Sequence, residues 1–553
     1  MAARYGLLLL TFLLSPVFAA ASVNVTFPAQ PPSVALLNTI EDNFIGISWE
    51  LSSFDSLWGT TVDKQPSAMQ NYLHNLISRM SKPLRIRVGG NSMDGSSYVP
   101  DQTTPLVLTD PNAYFNDVPV NFGPALFDIM NGMSDKVGAM QFMIGLSMRF
   151  PERWNEVLRL AQDTENKLGD RLDALLLGNE PDLYAGHGER GAYSIKDYVP
   201  EIDEVMGLLG NNSLLERPII GGPTICCTWE LDDLFKAGFD EFNYKYYTVQ
   251  HYPNNICNGE NESNTNLTYY LTHANIEGFL EWQKEGVIKA KKQNIPVLLT
   301  EYNTVSCGGS KISSTFGAGL WAIDTGLKAT TMNYSAVYLH TREHGVQYNL
   351  FDPPTPETST EPGWITGSPY YSALFLSEVA DPSGSIVVDL NVNKSNTNQF
   401  ATVAGYGIYD GSGQNRSGLV LINYASPTQE GDDKTQQFSI PANVTDKISY
   451  RILTAPSVTE KTDITWAGQT VGVNGDLQGA QHTESLSCDE GCLIDVPGPG
   501  AVLAVFGKIG EQRLFTGNST IAPLATDTSG SGVIFKMPPF SLSILVVLAF
   551  IFL

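Results

Sequence analysis

Short apolar runs and helix-like stretches alternate along the chain between residues 44 and 340. Each run closes in polar residues or glycine, and the eight runs cover 44–50, 84–90, 142–147, 174–180, 218–223, 246–252, 296–303 and 335–340. The stretches between them, such as MQNYLHNLISRM, place apolar residues every three or four positions, which is the period of an amphipathic helix. Continuous apolar strands alternating with helices indicate a parallel sheet covered by helices, and eight such units predict a (β/α)8 TIM barrel. A doubly wound open sheet is the alternative.

The pattern changes after about residue 360. Segments such as SIVVDLNV, FATVAGYGIY and GLVLINYA are short, β-branched and divided by Gly, Asn, Asp and Pro. This texture predicts an antiparallel β-sandwich over 361–510, following a catalytic barrel over 22–360. The run VNVTFPA, within 22–40, is a candidate strand of the same C-terminal domain.

Both ends of the chain carry targeting signals. Residues 1–21 have the charge, apolar run and small residues of a signal peptide. Residues 511–532 are a Ser/Thr/Gly tether, and 533–553 combine a spacer with a short uncharged tail, as in a GPI-attachment signal. We therefore expect a secreted protein held at the cell surface by a GPI anchor. A conventional C-terminal membrane anchor is the alternative.

Other features of the composition agree with export. Nine Asn-x-Ser/Thr sequons begin at residues 24, 211, 261, 266, 333, 393, 415, 443 and 518. The six cysteines are even in number, which predicts disulfides in an oxidising compartment and leaves their connectivity open. The net charge of −25 argues against nucleic acid as a partner and against binding to anionic membrane surfaces.

Two of the apolar runs end in glutamate. Glu180 closes the fourth run and Glu301 lies near the end of the seventh. In a TIM barrel the C-terminal ends of the strands build the active site, and the fourth and seventh strands face each other across its mouth. A carboxyl pair about 5–5.5 Å apart cleaves glycosidic bonds with retention, one member donating a proton and the other attacking the anomeric carbon. The pair predicts a retaining glycoside hydrolase, although either glutamate alone could be an ordinary strand-end residue.

The motifs around these glutamates resemble a known family. The order of LLLGNEPDLY, VQHYP and LLTEYNT resembles glycoside hydrolase clan A. RIRVGGNSMDG at the second strand, YNLFD after the eighth and the β-rich C-terminal domain are similar to family 79. That family contains β-glucuronidases and heparanase, and the chain resembles its fungal-type branch. The resemblance implies an exo-β-glucuronidase that releases glucuronic or 4-O-methylglucuronic acid from oligo- or polysaccharides without a cofactor.

The resemblance also implies roles for single residues. It makes Glu180 the acid/base and Glu301 the nucleophile. Asn179 would contact the sugar 2-hydroxyl, Tyr252 would hydrogen-bond the nucleophile, and Tyr348 would help to hold the substrate carboxylate.

Other positions carry weaker assignments. The family glycine expected beside Tyr348 has no counterpart, because Val346 and Gln347 precede the tyrosine. Glu50, Asn91 and Asp94, after the first and second strands, are candidate hydroxyl contacts or supports of the residues that touch the sugar.

Two further motifs suggest other chemistry and are set aside. HTREH (340–344) fits a metalloprotease pattern but follows a strand rather than lying in a helix, so we expect no metal. VGGNSMDG lacks the Gly-Lys-Ser/Thr ending of a phosphate loop, so we expect no nucleotide. Two alternative functions stay open: a clan A β-glycosidase or wall-remodelling transglycosylase acting on a neutral sugar, and a catalytically inactive carbohydrate-binding surface protein.

Overall fold

The computed structural model describes residues 22–33, 37–110, 112–113, 117–354, 363–429 and 431–507. The predicted signal peptide (1–21), the tether (511–532) and the GPI signal (533–553) lie outside these ranges. Within the described ranges, no helix combines the length and the apolar character needed to cross a membrane.

Eight parallel strands form a closed barrel, so the predicted TIM-barrel fold is confirmed. Neighbours in the barrel are also neighbours in sequence, and the last strand closes the ring by pairing with the first, Val337 opposite Ile45. Nearly every strand residue is buried, as expected for strands covered on both faces. The strands are β1 (Ile45–Glu50), β2 (Leu84–Gly89), β3 (Met140–Leu146), β4 (Leu172–Leu177), β5 (Ile220–Ile225), β6 (Tyr244–His251), β7 (Val297–Tyr302) and β8 (Tyr334–Thr341).

Helices cover the outside of the barrel. Trp154–Leu168 is typical, because its buried residues recur every three or four positions and face the strands. The main helices are Ser67–Ile77, Ala125–Val137, Trp154–Leu168, Ile195–Gly210, Leu231–Lys236, Ala274–Leu280, Lys284–Lys292, Phe316–Thr331 and Ser368–Leu376. Shorter helices lie at Phe54–Trp58, Gly90–Gly95 and Leu267–Tyr270.

Two β-sheets pack face to face beyond the barrel. The larger, antiparallel sheet runs in the order Thr39–Ile40, Ser385–Asp389, Val403–Asp410, Arg416–Asn423, Gly500–Phe506, Lys447–Thr454 and Thr465–Trp466, with Glu484–Ser487 also paired to Lys447–Thr454. The smaller sheet contains Val23–Asn24, Gln436–Ile440 and Cys492–Val496. Apolar side chains of both sheets form one core. Both short N-terminal strands thus pair with C-terminal ones.

The boundary that we predicted near residue 360 falls too early. The helix Ser368–Leu376 packs on the barrel helix Phe316–Thr331, where the Ser372 hydroxyl donates to the Gly319 carbonyl at 2.7 Å. On its other side, the Tyr370 hydroxyl donates to the Tyr72 carbonyl at 2.8 Å. This helix therefore covers the barrel after β8, and the barrel part of the chain continues through Leu376.

A buried glutamate joins the barrel to the larger sheet. Glu378 accepts hydrogen bonds from Arg79 Nε at 2.7 Å and from Arg451 Nη1 at 2.6 Å. Trp466 Nε1 donates to the same carboxylate at 3.1 Å. Since Arg79 belongs to the barrel and Arg451 and Trp466 to the sheet, one paired buried charge holds the two parts in a fixed relation.

Candidate active site

A cavity of about 1090 Å³ opens at the C-terminal ends of the barrel strands. This volume accommodates a sugar ring together with part of the group linked to it. Six of the eight residues predicted from the sequence line the cavity: Glu50, Asn91, Glu180, Tyr252, Glu301 and Tyr348. The other two, Asn179 and Asp94, are buried behind that lining.

Glu301, on β7, is surrounded by hydrogen-bond donors. Its Oε2 accepts from Arg87 Nη1 at 2.7 Å and from Gln250 Nε2 at 3.0 Å. Its Oε1 accepts from the Tyr252 hydroxyl at 2.8 Å. Three donors, one of them cationic, stabilise the ionised carboxylate in this buried position. The geometry is that of a carboxylate held in place through both of its oxygens.

Glu180 has the opposite environment. Among the described residues, none donates a hydrogen bond to its carboxyl group. Burial and the negative charge of Glu301 raise the pKa of Glu180 well above its usual value, and the more weakly acting Arg87 only partly offsets them. Two carboxyl groups of one cavity thereby lie in opposite environments, which is the arrangement that acid–base chemistry at a single bond requires.

The backbone at Glu180 is itself unusual. The residue has φ 50° and ψ 49°, in the left-handed region that residues other than glycine seldom adopt. Gly178, two positions earlier, also has a positive φ of 84°. The Glu180 N–H donates to the Thr224 carbonyl on β5 at 2.9 Å, which holds this turn against the next strand. Such backbone strain clusters at functional sites.

Asn179 is held by a network beneath the two glutamates. Its Oδ1 accepts from Arg87 Nη2 at 2.6 Å and from Gln250 Nε2 at 3.2 Å. Its Nδ2 donates to Asn91 Oδ1 at 2.7 Å. Arg87 is therefore the centre of the site, since its two terminal nitrogens contact Glu301 and Asn179 respectively.

Asp94 supports this network from below. Its Oδ2 accepts from the Asn179 N–H at 3.1 Å and from the Tyr184 hydroxyl. Burial raises the pKa of Asp94 to about 7, although these two hydrogen bonds act in the opposite direction. Asp94 is a positioning residue for the Asn179–Glu180 turn rather than a contact of the sugar.

Glu50 lies at the base of the cavity beside two basic side chains. His340 Nε2 is 3.4 Å from Glu50 Oε2, and Arg342 Nη1 is 3.9 Å from the same atom. The Ser92 N–H donates to Oε1 at 2.7 Å. Burial alone would raise the pKa of Glu50, but Arg342, His340 and Ser92 outweigh it and lower the pKa to about 2. Glu50 is thus an ionised acceptor throughout the physiological range.

The loop after β8 supplies the wall next to Glu50. Arg342 and Tyr348 both line the cavity, and the Arg342 side chain is only 2% exposed. Arg342 Nε donates to Glu343 at 2.5 Å. Within the described chain no group hydrogen-bonds the Tyr348 hydroxyl, although the ring is buried against Tyr252 and His340, with centroids 6.2 Å and 5.9 Å away. This wall offers a cation and a hydroxyl to a ligand.

The cysteines form three disulfides, two of which border the cavity. Cys226 is bonded to its neighbour Cys227, and Cys257 to Cys307. Cys227, Cys257 and Cys307 line the cavity. The third, Cys488–Cys492, is a local bridge in the C-terminal domain, as the spacing allowed.

The HTREH motif places its histidines against different partners. His340 faces Glu50 and Ser48, whereas His344 is 3.9 Å from Asp352. In the described residues, the three side chains with metal-ligand spacing are Asp182, Cys226 and Cys227. Both of these cysteines are in a disulfide, so they offer no thiolate to a metal.

Sequence reasoning missed several residues of this site. Arg87 and Gln250 organise Glu301, yet we treated them only as parts of larger motifs. The available signal was their type, because a charged or amide side chain inside an otherwise apolar barrel strand must have a buried partner. Arg342 was missed because we considered its motif only as a metal site.

Sequence comparison finds relatives for both parts of the chain. Residues 405–503 match the model of the glycosyl hydrolase family 79 C-terminal beta domain. A β-glucuronidase of Neurospora crassa is 24% identical over 438 residues, covering 73% of this chain and 74% of the relative. A β-glucuronidase of Aspergillus niger is 23% identical over 546 residues, covering 88% of this chain and 94% of the relative.

Solved structures share the architecture. A 4-O-α-L-rhamnosyl-β-D-glucuronidase of Fusarium oxysporum 12S superposes with a TM-score of 0.74 at 22% identity, over 88% of this chain and all of that one. An α-L-arabinofuranosidase of Thermotoga maritima follows with a TM-score of 0.56 at 12% identity, over 88% and 99% of the two chains. The barrel, the attached β domain and the paired glutamates define an O-glycosyl hydrolase. Within that class, the chain is similar to glycoside hydrolase family 79, through the match of residues 405–503 to that family's C-terminal beta domain and through the two fungal β-glucuronidases.

Proposed function

We propose that the chain is a retaining exo-β-glucuronidase that removes β-linked glucuronic or 4-O-methylglucuronic acid from glycans. The observation that carries the proposal is the contrast between two carboxyl groups of one cavity. Glu301 accepts hydrogen bonds from Arg87, Gln250 and Tyr252, which favour its ionised form, whereas burial and the charge of Glu301 raise the pKa of Glu180 well above its usual value.

These two states match the two steps of double displacement. In the first step, Glu301 attacks the anomeric carbon while Glu180 gives its proton to the glycosidic oxygen, and the aglycone leaves. In the second step, Glu180, now ionised, takes a proton from water, which attacks the anomeric carbon and releases Glu301. Tyr252 and Arg87 keep the nucleophile in one orientation during both steps.

The wall formed by Arg342 and Tyr348 supports a uronic acid as the sugar. The Arg342 guanidinium is buried, and the Tyr348 hydroxyl accepts or donates no hydrogen bond among the described residues; these two groups would bind a carboxylate through charge-assisted hydrogen bonds. The relatives from N. crassa and A. niger, named β-glucuronidases, support the same sugar. Glu50 and Asn91 then face the remaining hydroxyl groups as acceptors.

A panel of 4-nitrophenyl β-glycosides tests the proposal. We expect the highest kcat/KM on the β-glucuronide, release of the β-anomer in the first turnovers, and loss of activity on all substrates for Glu301→Gly. Glu180→Ala should still be glycosylated by 2,4-dinitrophenyl β-glucuronide, and azide should speed its turnover, since neither reaction needs the missing acid or base. Near-normal activity of Glu301→Gly would contradict the assignment.

The neutral-sugar alternative has one observation in its favour. Glu50 is an ionised carboxylate in the cavity, and it would repel a uronate placed against it. A wild-type enzyme that prefers the β-glucoside, or that transfers the sugar to an added acceptor rather than to water, would establish this alternative.

We further propose that the protein is exported. Three disulfides and nine sequons support an oxidising, glycosylating compartment. The GPI anchor expected from the C-terminal sequence stays a prediction, and release of the protein from intact cells by a phosphatidylinositol-specific phospholipase tests it.

A further inference from the structure

The disulfide between the adjacent residues Cys226 and Cys227 follows β5, directly beside the turn that carries Glu180. Cys226 is buried, at 1% exposure, whereas Cys227 is exposed and lines the same cavity as Glu180. Leu183, three residues after Glu180, lines it too and is partly buried. The disulfide and Leu183 thus present sulfur and hydrocarbon on the side of the cavity next to Glu180.

Hydrogen bonds fix this apolar surface to the Glu180 turn. The backbone N–H groups of Cys226, Cys227 and Thr228 all donate to the Asp182 carboxylate, at 3.2, 2.7 and 2.7 Å. Asp182 belongs to the short 3-10 helix Pro181–Leu183, which begins immediately after Glu180. The Asp182 carboxylate, together with the Glu180 N–H bond to Thr224, therefore fixes the distance between the acid and the disulfide.

The other side of the disulfide is equally well held. The Cys226 carbonyl is 2.9 Å from His251 Nδ1, and the His251 ring stacks between Phe279 and Trp282 with centroids 4.8 Å and 4.6 Å away. Burial lowers the pKa of His251 to about 4, so the ring is neutral and its Nδ1–H donates to the carbonyl. The disulfide is a rigid surface rather than a mobile loop.

We propose that the Cys226–Cys227 disulfide and Leu183 bind the apolar face of the leaving group. The inference rests on the proposed function, because it uses Glu180 as the acid. The group that leaves is attached to the oxygen that Glu180 protonates, and it points away from Glu301, so it extends over the elements nearest Glu180. Disulfide sulfur is polarisable and packs well against aromatic rings and against the C–H face of a sugar. The disulfide and Leu183 therefore favour aglycones that present such a face.

Three β-glucuronides separate this role from a simple positioning of Glu180. Glucuronyl fluoride has no ring in its leaving group and needs little proton donation. The 2,4-dinitrophenyl glucuronide has a ring but needs no proton, whereas the phenyl glucuronide has a ring and needs one. For Cys226→Ser/Cys227→Ser, we expect kcat/KM to fall by about two- to tenfold on both aryl substrates, and to stay unchanged on the fluoride.

The other outcomes are equally distinct. A loss on the phenyl glucuronide alone would mean that the disulfide only positions the acid, and equal losses on all three substrates would mean a general distortion; either result overturns the proposal, as does no loss. If the wild type turns over none of the three, the proposed function itself fails.

Two control variants distinguish a specific effect of the disulfide from an effect of misfolding. Cys488→Ser/Cys492→Ser removes the disulfide of the C-terminal domain and should leave all three rates unchanged. Leu183→Ala keeps the Cys226–Cys227 bond and should lower kcat/KM on the two aryl substrates only, by about two- to tenfold. An equal response of Leu183→Ala on the fluoride would overturn the proposal even if the double cysteine variant does not fold.

Discussion

Tyr348→Phe is the substitution that most directly tests whether the enzyme selects a uronic acid over a neutral sugar. Tyr348 is buried but lines the cavity, and its hydroxyl has no hydrogen-bond partner among the described residues. Removing that hydroxyl therefore breaks no bond inside the protein, and we expect the melting temperature to change little. Any loss of activity must then come from a contact with the substrate.

The size of the effect follows from the kind of bond that is lost. A hydrogen bond to a charged group contributes about 1.5–3 kcal/mol, and each 1.4 kcal/mol changes a rate ratio about tenfold. We expect kcat/KM on the 4-nitrophenyl β-glucuronide to fall by about 10- to 100-fold. The corresponding β-glucoside has no carboxylate, so its slower hydrolysis should be nearly unchanged.

Tyr252→Phe is the matched control. It removes a hydroxyl that donates to Glu301 at 2.8 Å, and it should slow both substrates by a similar factor because every substrate uses the nucleophile. Initial rates of the wild type and both variants on the two substrates complete the comparison. If Tyr348→Phe lowered kcat/KM equally on the glucuronide and the glucoside, the reasoning that this hydroxyl binds the substrate carboxylate would be refuted.

Three further predictions concern stability. The pKa of Glu180 is raised in the folded state. Its contribution to the free energy of unfolding is therefore favourable below its unfolded pKa of about 4.3, and this contribution is lost as the pH rises through the pKa of the folded state. Glu180→Gln should therefore melt higher than the wild type at pH 7 and similarly near pH 4; a lower melting temperature at pH 7 would contradict this sign. Removal of Cys257–Cys307, which closes 50 residues, should lower the unfolding free energy by about 4 kcal/mol, against about 2 kcal/mol for Cys488–Cys492, as denaturant titration would show. Equal losses would contradict the chain-entropy argument. Glu378→Ala leaves two buried arginines without their shared anion and should cost about 3–5 kcal/mol, whereas Glu165→Ala at an exposed ion pair should change little.

The barrel could be predicted because its strands are buried on both faces. Such strands are rich in apolar residues, and polar residues at their C-terminal ends are the ones placed to face the cavity. The same rule located Glu180 and Glu301 on opposite sides of one cavity. Periodicity therefore indicated both the fold and the pair of residues at its centre.

The helix Ser368–Leu376 could not be found in this way. All nine of its residues are buried, because it lies between the barrel and the C-terminal sheet. A helix covered on every side has no polar face, so its sequence lacks the period that marks an amphipathic helix. The domain boundary was consequently predicted too early.

Two partners of Glu301 were hidden for a different reason. Arg87 lies on β2 and Gln250 on β6, and only closure of the barrel brings them to Glu301 on β7. The cysteine pairing was similarly open, since a bond between the adjacent residues Cys226 and Cys227 competes with several longer connections. Spacing along the chain does not determine contacts made across a barrel.

Arg87 links the nucleophile to the amide beside the acid. Its Nη1 donates to Glu301 and its Nη2 to Asn179, while its charge partly offsets the rise in the pKa of Glu180 that burial and Glu301 cause. The same contact decides the orientation of the Asn179 amide. Because Asn179 Oδ1 already accepts from Arg87, its Nδ2 must donate, and it donates to Asn91 in the cavity wall. One buried cation thus both holds the nucleophile and sets the polarity of the amide beside the acid.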